Sequence, residues 1–205
     1  VVVYVPYCGE PEDAAAAQRY TEARAAADWA TKEGLRCVLL IDAEAHSFLP
    51  CFPSACTVFI LPELYGLDRR GRPEGWLGEA MRRLEAGERM DADDVVPAYF
   101  ILADEAAARI RAALRERADG TIRLIQTRRT TRFRFLGKLA ALYDFDRTNI
   151  YPCDAHLPHY VPLLEEGEQY FDCSETNAGL ATLYRQQYCV FRLVYLCKPD
   201  ELFCG

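Results

Sequence analysis

The sequence predicts an α/β protein, with a small, mainly parallel sheet flanked by helices and an irregular, β-containing C-terminal extension. Three observations carry this. Apolar strand-like runs alternate with helical segments as far as Gly120. Those runs are apolar throughout and do not alternate with polar residues, the pattern of parallel strands covered on both faces. Beyond Gly120 the composition turns to Arg, Tyr, Phe and Cys and helical periodicity fades. Residues 1–120 therefore read as an α/β domain, and 121–205 as an extension packed on it.

Val1–Tyr7 is β-branched and aromatic and ends in Cys8-Gly9, as a buried strand entering a turn does. A helix follows. Pro11 has no N–H to lose in the first turn, Glu12 and Asp13 suit the positive end of the dipole, and Gly34 supplies a left-handed cap. Tyr20, Ala23, Ala27 and Ala30 recur at helical spacing, a face small enough to lie close on a sheet. Arg36–Asp42 and Thr57–Leu61 read as the second and third strands, linked by residues 43–56. A helix over 73–85, with Leu77, Met81 and Leu84 as its stripe, precedes a fourth strand at Val95–Leu102. Asp104 then caps a helix that turns Ala107, Ile110 and Leu114 inward and stops at Gly120. Thr121–Ile125 is a candidate fifth strand. Farther on, Arg132–Phe135 alternates charge with ring as an edge strand does, and Tyr188–Cys197 carries a strand signal.

Up to residue 120 there are 14 basic and 21 acidic groups, and beyond it 10 of each, so the net charge of −7 arises in the α/β half. An acidic surface repels nucleic acid and anionic membranes. Nucleic acid is left only a local foothold, through Arg123–Arg134. With 51% of residues hydrophobic there is enough for a sizeable core. No apolar run approaches the roughly 20 residues of a membrane span. Nine cysteines, at 8, 37, 51, 56, 153, 173, 189, 197 and 204, are an odd number, several of them inside apolar runs. They read as free thiols of a soluble protein in an intracellular reducing compartment, the cytosol or mitochondrial matrix. Val1 opens the chain with no basic, apolar leader, which reads as a processed or trimmed N-terminus.

Open parallel sheets bind ligands beyond the carboxyl ends of their strands. That rule gathers Tyr7–Glu10, Asp42–Glu44, Pro62–Gly66 and Asp104-Glu105, a mostly acidic set with neither Gly-x-Gly-x-x-Gly nor a Walker loop. The first strand, an Arg-bearing helix and then Asp68 to Glu79 at the head of another helix loosely resemble the nucleoside deoxyribosyltransferase family over about the first 100 residues. The resemblance implies a nucleophilic Glu79, although Pro6-Tyr7 stands where that family has a Gly-Pro pair. A nucleotide- or sugar-processing enzyme using Glu79 or Asp42 at the C-terminal ends of the parallel strands is accordingly one reading.

Asp144-Phe145-Asp146-Arg147-Thr148 matches the Asp-x-Asp-x-Thr motif of haloacid-dehalogenase-like phosphatases. The downstream acidic pair that would hold magnesium is missing, so the motif reads as an Asx turn. Cys153, His156 and His159, with Cys173 farther on, are the ligand types that structural zinc prefers, though the spacing fits no common zinc motif. No other cofactor is expected. Arg123, Arg128, Arg129, Arg132 and Arg134 form a run with no acidic residue among them. Guanidinium forks suit phosphate and carboxylate, so Arg128, Arg129, Arg132 and Arg134 are the expected binding residues. The extension also holds Tyr143, Tyr151, Tyr160, Tyr170, Tyr184, Tyr188 and Tyr195, and tyrosine with arginine dominates interface hot spots. With no coherent acid, base and nucleophile set, the sequence favours a non-catalytic accessory or structural subunit of a multiprotein complex. It would work through contacts of its extension with other protein subunits.

Overall fold

In the computed structural model, which describes residues 2–4, 13–42, 56–126, 128–154 and 169–196, the apolar runs of the sequence line up as a parallel sheet. In chain order the elements are β1 (Val2–Tyr4), α1 (Asp13–Lys32), β2 (Cys37–Asp42), β3 (Thr57–Leu61), β4 (Glu63–Tyr65) and α2 (Gly75–Glu85). There follow β5 (Met90–Asp93), β6 (Phe100–Leu102), α3 (Ala103–Arg115), β7 (Thr121–Gln126) and α4 (Arg132–Tyr143). A 3-10 turn (Arg147–Asn149), β8 (Ile150–Cys153), β9 (Gln169–Cys173) and α5 (Thr176–Leu196) complete the described chain. The α/β class and the mainly parallel sheet are as expected. No helix among the described residues is long and apolar enough to cross a membrane.

By chain contacts the elements fall into two compact units, and each draws on both sides of Gly120. The first holds a five-stranded sheet of order β1-β2-β3-β7-β9, parallel throughout, with α1 and α3. Strands apolar on both faces require cover on both, and Val38, Leu39, Ile41, Phe59 and Ile60 are all at most 1% exposed. On one face the α1 alanines Ala27 and Ala30 join Cys37, Leu39, Ile41, Cys56, Val58 and Ile60 in one cluster. Gly34, at φ +64°, ends α1, and the Leu35 N–H reaches back to the Ala30 carbonyl at 2.8 Å. Arg36 donates to the Leu114 carbonyl (3.1 Å) and the Ala118 carbonyl, placing a cation at the negative end of α3.

The second unit holds β4 beside β6, β5 parallel to β8, and the helices α2, α4 and α5. Rings build its core. Phe135 lies 4.6 Å from Phe100, 5.1 Å from Tyr65 and 5.3 Å from Trp76, centroid to centroid. Leu77, Met81 and Leu84 of α2 face this core at the spacing the sequence predicts, with Leu136, Leu139, Leu180 and Leu183 from α4 and α5.

Three local expectations change. Arg132–Phe135 opens α4 and is not an edge strand, because Thr131 caps the helix by accepting the Arg134 N–H at 3.2 Å. Tyr188–Leu196 continues α5 and is not a strand, so the part beyond Gly120 carries two long helices. Val95–Leu102 shrinks to β6, which pairs with β4 outside the parallel sheet. Val95 stays 58% exposed, since the Asp93 carboxylate takes the N–H groups of Val95 (3.1 Å) and Val96 (2.7 Å) and turns the chain there.

Candidate functional site

Parallel strands end on a common edge, and here the ends of β2, β3, β7 and β9 are Asp42, Leu61, Gln126 and Cys173. Register places Asp42 beside Leu61 and Gln126 beside Cys173. Gln126 is 2% exposed, and its amide offers both a donor and an acceptor. Burial first, and then the Glu105 carboxylate, push the Cys173 thiol up to about 12. It is a neutral thiol near pH 7, not a nucleophile. The polar residues at these strand ends are thus Asp42 and Gln126, residue types that hydrogen-bond hydroxyls. Asp42 is reachable from sequence by the strand-end rule, whereas Gln126 is marked only by being the polar residue that closes an apolar strand.

The remaining strand-end residues divide. Pro62 and Glu63 lead from β3 into β4, and Asp104 and Glu105 sit in the first turn of α3. Tyr7–Glu10 and Ala43-Glu44 lie outside the described residues. Glu79 is exposed on α2, in the second unit, and accepts from Arg82 Nη2 at 2.6 Å and Nε at 3.1 Å. That guanidinium holds the Glu79 carboxyl below its usual range. It is a solvated residue of α2. The Asp68 carboxylate accepts from the backbone N–H groups of Arg70 (2.8 Å) and Arg72 (2.9 Å) and closes a loop. Asp146 accepts from the N–H (2.9 Å) and hydroxyl (2.7 Å) of Thr148, the Asx-type cap expected of that motif.

Each cation of the arginine run meets a different partner. Arg128 lies 3.7 Å from Glu175, Arg129 over the Tyr99 ring at 5.5 Å and Arg132 over the Trp76 ring at 5.3 Å. Arg134 pairs with Asp94 at 3.3 Å, and the Thr131 hydroxyl donates to the same carboxylate oxygen at 2.6 Å. Arg123 is 3% exposed within β7, in the other unit, and so is no part of an exposed basic surface. Of the zinc candidates, Cys153 ends β8, where partial burial and then Asp91, Asp93 and Asp154 push its thiol up. Cys173 belongs to the first unit, and His156 and His159 lie outside the described residues. Among the described residues no group of three metal-binding side chains could hold an ion. Cys37, Cys56, Cys153 and Cys173 are free thiols.

No family model matches the chain, and no curated protein matches it. Solved structures do. Over 90% of this chain and 81% of the other, the fold is similar to dTDP-4-dehydrorhamnose reductase from Yersinia enterocolitica, with TM-score 0.69 and 14% identity. The reductase of the same name from Bacillus anthracis, in complex with NADP, matches with TM-score 0.66 and 11% identity over 90% of this chain and 80% of that one. The dTDP-glucose 4,6-dehydratase from Bacillus anthracis, in complex with NAD, gives 0.61 and 10% over 92% and 73%. The fold is therefore Rossmann-like, as in those enzymes, two of which were solved with NADP or NAD bound. These likenesses overturn the expectation of a non-catalytic accessory or structural subunit of a multiprotein complex. That expectation takes the missing phosphate loop as a sign of no chemistry, yet the α/β layer is the one used by sugar-nucleotide reductases and dehydratases.

Proposed function

We propose that this chain is an enzyme of nucleotide-sugar chemistry, with its ligand over the carboxyl edge of the parallel sheet. The supporting observation is the fold shared, at TM-scores of 0.69, 0.66 and 0.61, with enzymes named for dTDP-linked sugars. A sugar presents hydroxyls in fixed directions. Asp42 at the end of β2 supplies a carboxylate that accepts a hydrogen bond or a proton from one of them, and the Gln126 amide orients a neighbour. A buried amide such as that of Gln126 discriminates strongly against ligands that lack the matching hydroxyl. The four described free thiols suit a reducing compartment, the cytosol or mitochondrial matrix.

The residues present do not fit a dinucleotide cofactor. Its pyrophosphate needs backbone N–H groups bared by closely spaced glycines at a strand-to-helix turn. Here β6 passes into α3 with no connecting residue, and Gly9 is the single glycine between β1 and α1. Dinucleotides also bind where strand order reverses, and the described order β1-β2-β3-β7-β9 runs in one direction only. No step of the proposed activity is routed through such a group.

Calorimetry with dTDP-glucose and UDP-N-acetylglucosamine, and mass spectrometry of the same mixtures, tests the reading. Nucleotide sugars are expected to bind and to change mass or isomer, with affinity at least about tenfold weaker in Asp42→Asn or Gln126→Ala. Failure of every nucleotide sugar to bind overturns it.

A further inference from the structure

Three helices contain an internal glycine, and close packing explains two of them. A side chain at Gly78 in α2 would meet the Pro73 carbonyl, and one at Gly179 in α5 the Tyr65 hydroxyl. Gly137 in α4 is under no such constraint. The nearest atom to a Cβ built there is Arg147 Nη2 at 3.6 Å, an ordinary contact. Glycine weakens a helix interior, so a glycine that packing does not require leaves space at a cost in stability. That space is a pocket of about 600 Å³, lined by three cations, Arg134, Lys138 and Arg147, and by Phe133, Thr148 and Ile150.

The charges there are unbalanced. Arg134, Gly137 and Lys138 share one helix face at i, i+3, i+4 spacing, and no acidic residue lines the pocket. Arg134 is neutralised by Asp94. Among the described residues no acidic group lies within ion-pair distance of Lys138 or Arg147. Asp146, next to Arg147 in sequence, instead accepts from Thr148. Like charges brought to one cavity repel until an anion enters it. A lysine point charge and an arginine fork are together the usual grip on a phosphate.

We propose that this pocket binds a phosphorylated small molecule about the size of a nucleoside monophosphate, its phosphate on Lys138 and Arg147 and its planar or apolar body against Phe133 and Ile150. The volume lies within the roughly 300–1,000 Å³ of small-molecule sites. The proposal goes beyond the nucleotide-sugar reading and does not depend on it. All of the lining residues belong to the second unit, and none belongs to the sheet edge.

Isothermal titration calorimetry with adenosine monophosphate, inorganic phosphate and adenosine tests it. Adenosine monophosphate is expected to bind more tightly than phosphate and to be displaced by it, and adenosine is expected not to compete. The double variant Lys138→Gln, Arg147→Gln changes two exposed side chains, so it keeps its far-UV circular dichroism while losing at least about tenfold in affinity. Gly137→Leu, a good helix former that fills the floor without changing charge, gives the same loss. Asp42→Asn, aimed at the sheet edge, leaves binding of adenosine monophosphate unchanged. No binding of adenosine monophosphate, displacement by adenosine, or affinity unaltered in the double variant would overturn the proposal.

Discussion

In the first unit, Ala27 and Ala30 close onto Leu39, Ile41, Val58 and Ile60, small side chains on branched ones, with strand register setting each neighbour. In the second, four rings meet at individual angles, and Arg132 lies over Trp76 as a lid. A face of small residues spreads its stability evenly and depends little on any one side chain. A ring cluster concentrates stability in a few residues, each of which fills a volume that its neighbours cannot recover.

The largest test of this contrast is Phe135→Ala. Phe135 is 0% exposed and touches three other rings, so its loss is expected to cost about 3–5 kcal/mol in urea unfolding. Trp76 fluorescence reports the change directly. A loss under about 1 kcal/mol would mean that the cluster refills itself and that the contrast fails.

A smaller effect belongs to the first unit and appears only in alkali. Cys56 and Cys173 are pushed up to about 12 by burial, whereas an unperturbed thiol ionises near 9.0. Above pH 9 the unfolded chain therefore releases protons that the folded chain retains. Stability from these thiols is complete below pH 9 and is lost as pH rises toward 12, by at most roughly 1.4 kcal/mol per pH unit for each. Urea midpoints of the parent and of Cys173→Ala, compared at about pH 8 and pH 10.5, are expected to diverge, with the variant falling less. Parallel curves would place the thiol in contact with water.

The smallest expected change has the opposite sign. Gly137→Ala should raise stability by about 0.5–1 kcal/mol, because a Cβ finds room there. Gly78→Ala and Gly179→Ala should lower it, since their Cβ atoms meet Pro73 and Tyr65. Thermal melting of the three variants ranks them.

The same division governs what the sequence shows. Val38–Ile41 and Val58–Leu61 are unbroken apolar runs, and strands β2 and β3 follow from them directly. The α2 stripe is equally plain at Leu77, Met81 and Leu84. Thr131 as a cap is hidden among arginines and threonines, so α4 reads as alternating strand. In α5 the buried Leu180 and Leu183 precede the apolar run that begins at Tyr188, and that run taken alone mimics a strand. Pro152 and exposed Tyr151 disguise β8, which forms only because β5 lies beside it. At the site, Asp42 follows from a general rule about parallel sheets. Gln126 gains its place from the pairing of β7 with β9, and Arg147 reaches Gly137 only once the chain has turned back on α4. Long-range pairing of that kind leaves no local pattern to read.

Strands β3 and β7 are neighbours in the sheet although residues 62–120 separate them in the chain. A ribosome adds roughly 5–20 residues per second, so on the order of 3–12 seconds pass between the end of β3 and the start of β7. For that interval the apolar edge of Val58–Ile60 has no partner, while chain destined mainly for the other unit emerges beside it. An unpaired apolar edge is a template for association with other chains. The order of strands therefore sets a timetable for synthesis, and its longest vulnerable interval falls before the edge of the proposed site is complete.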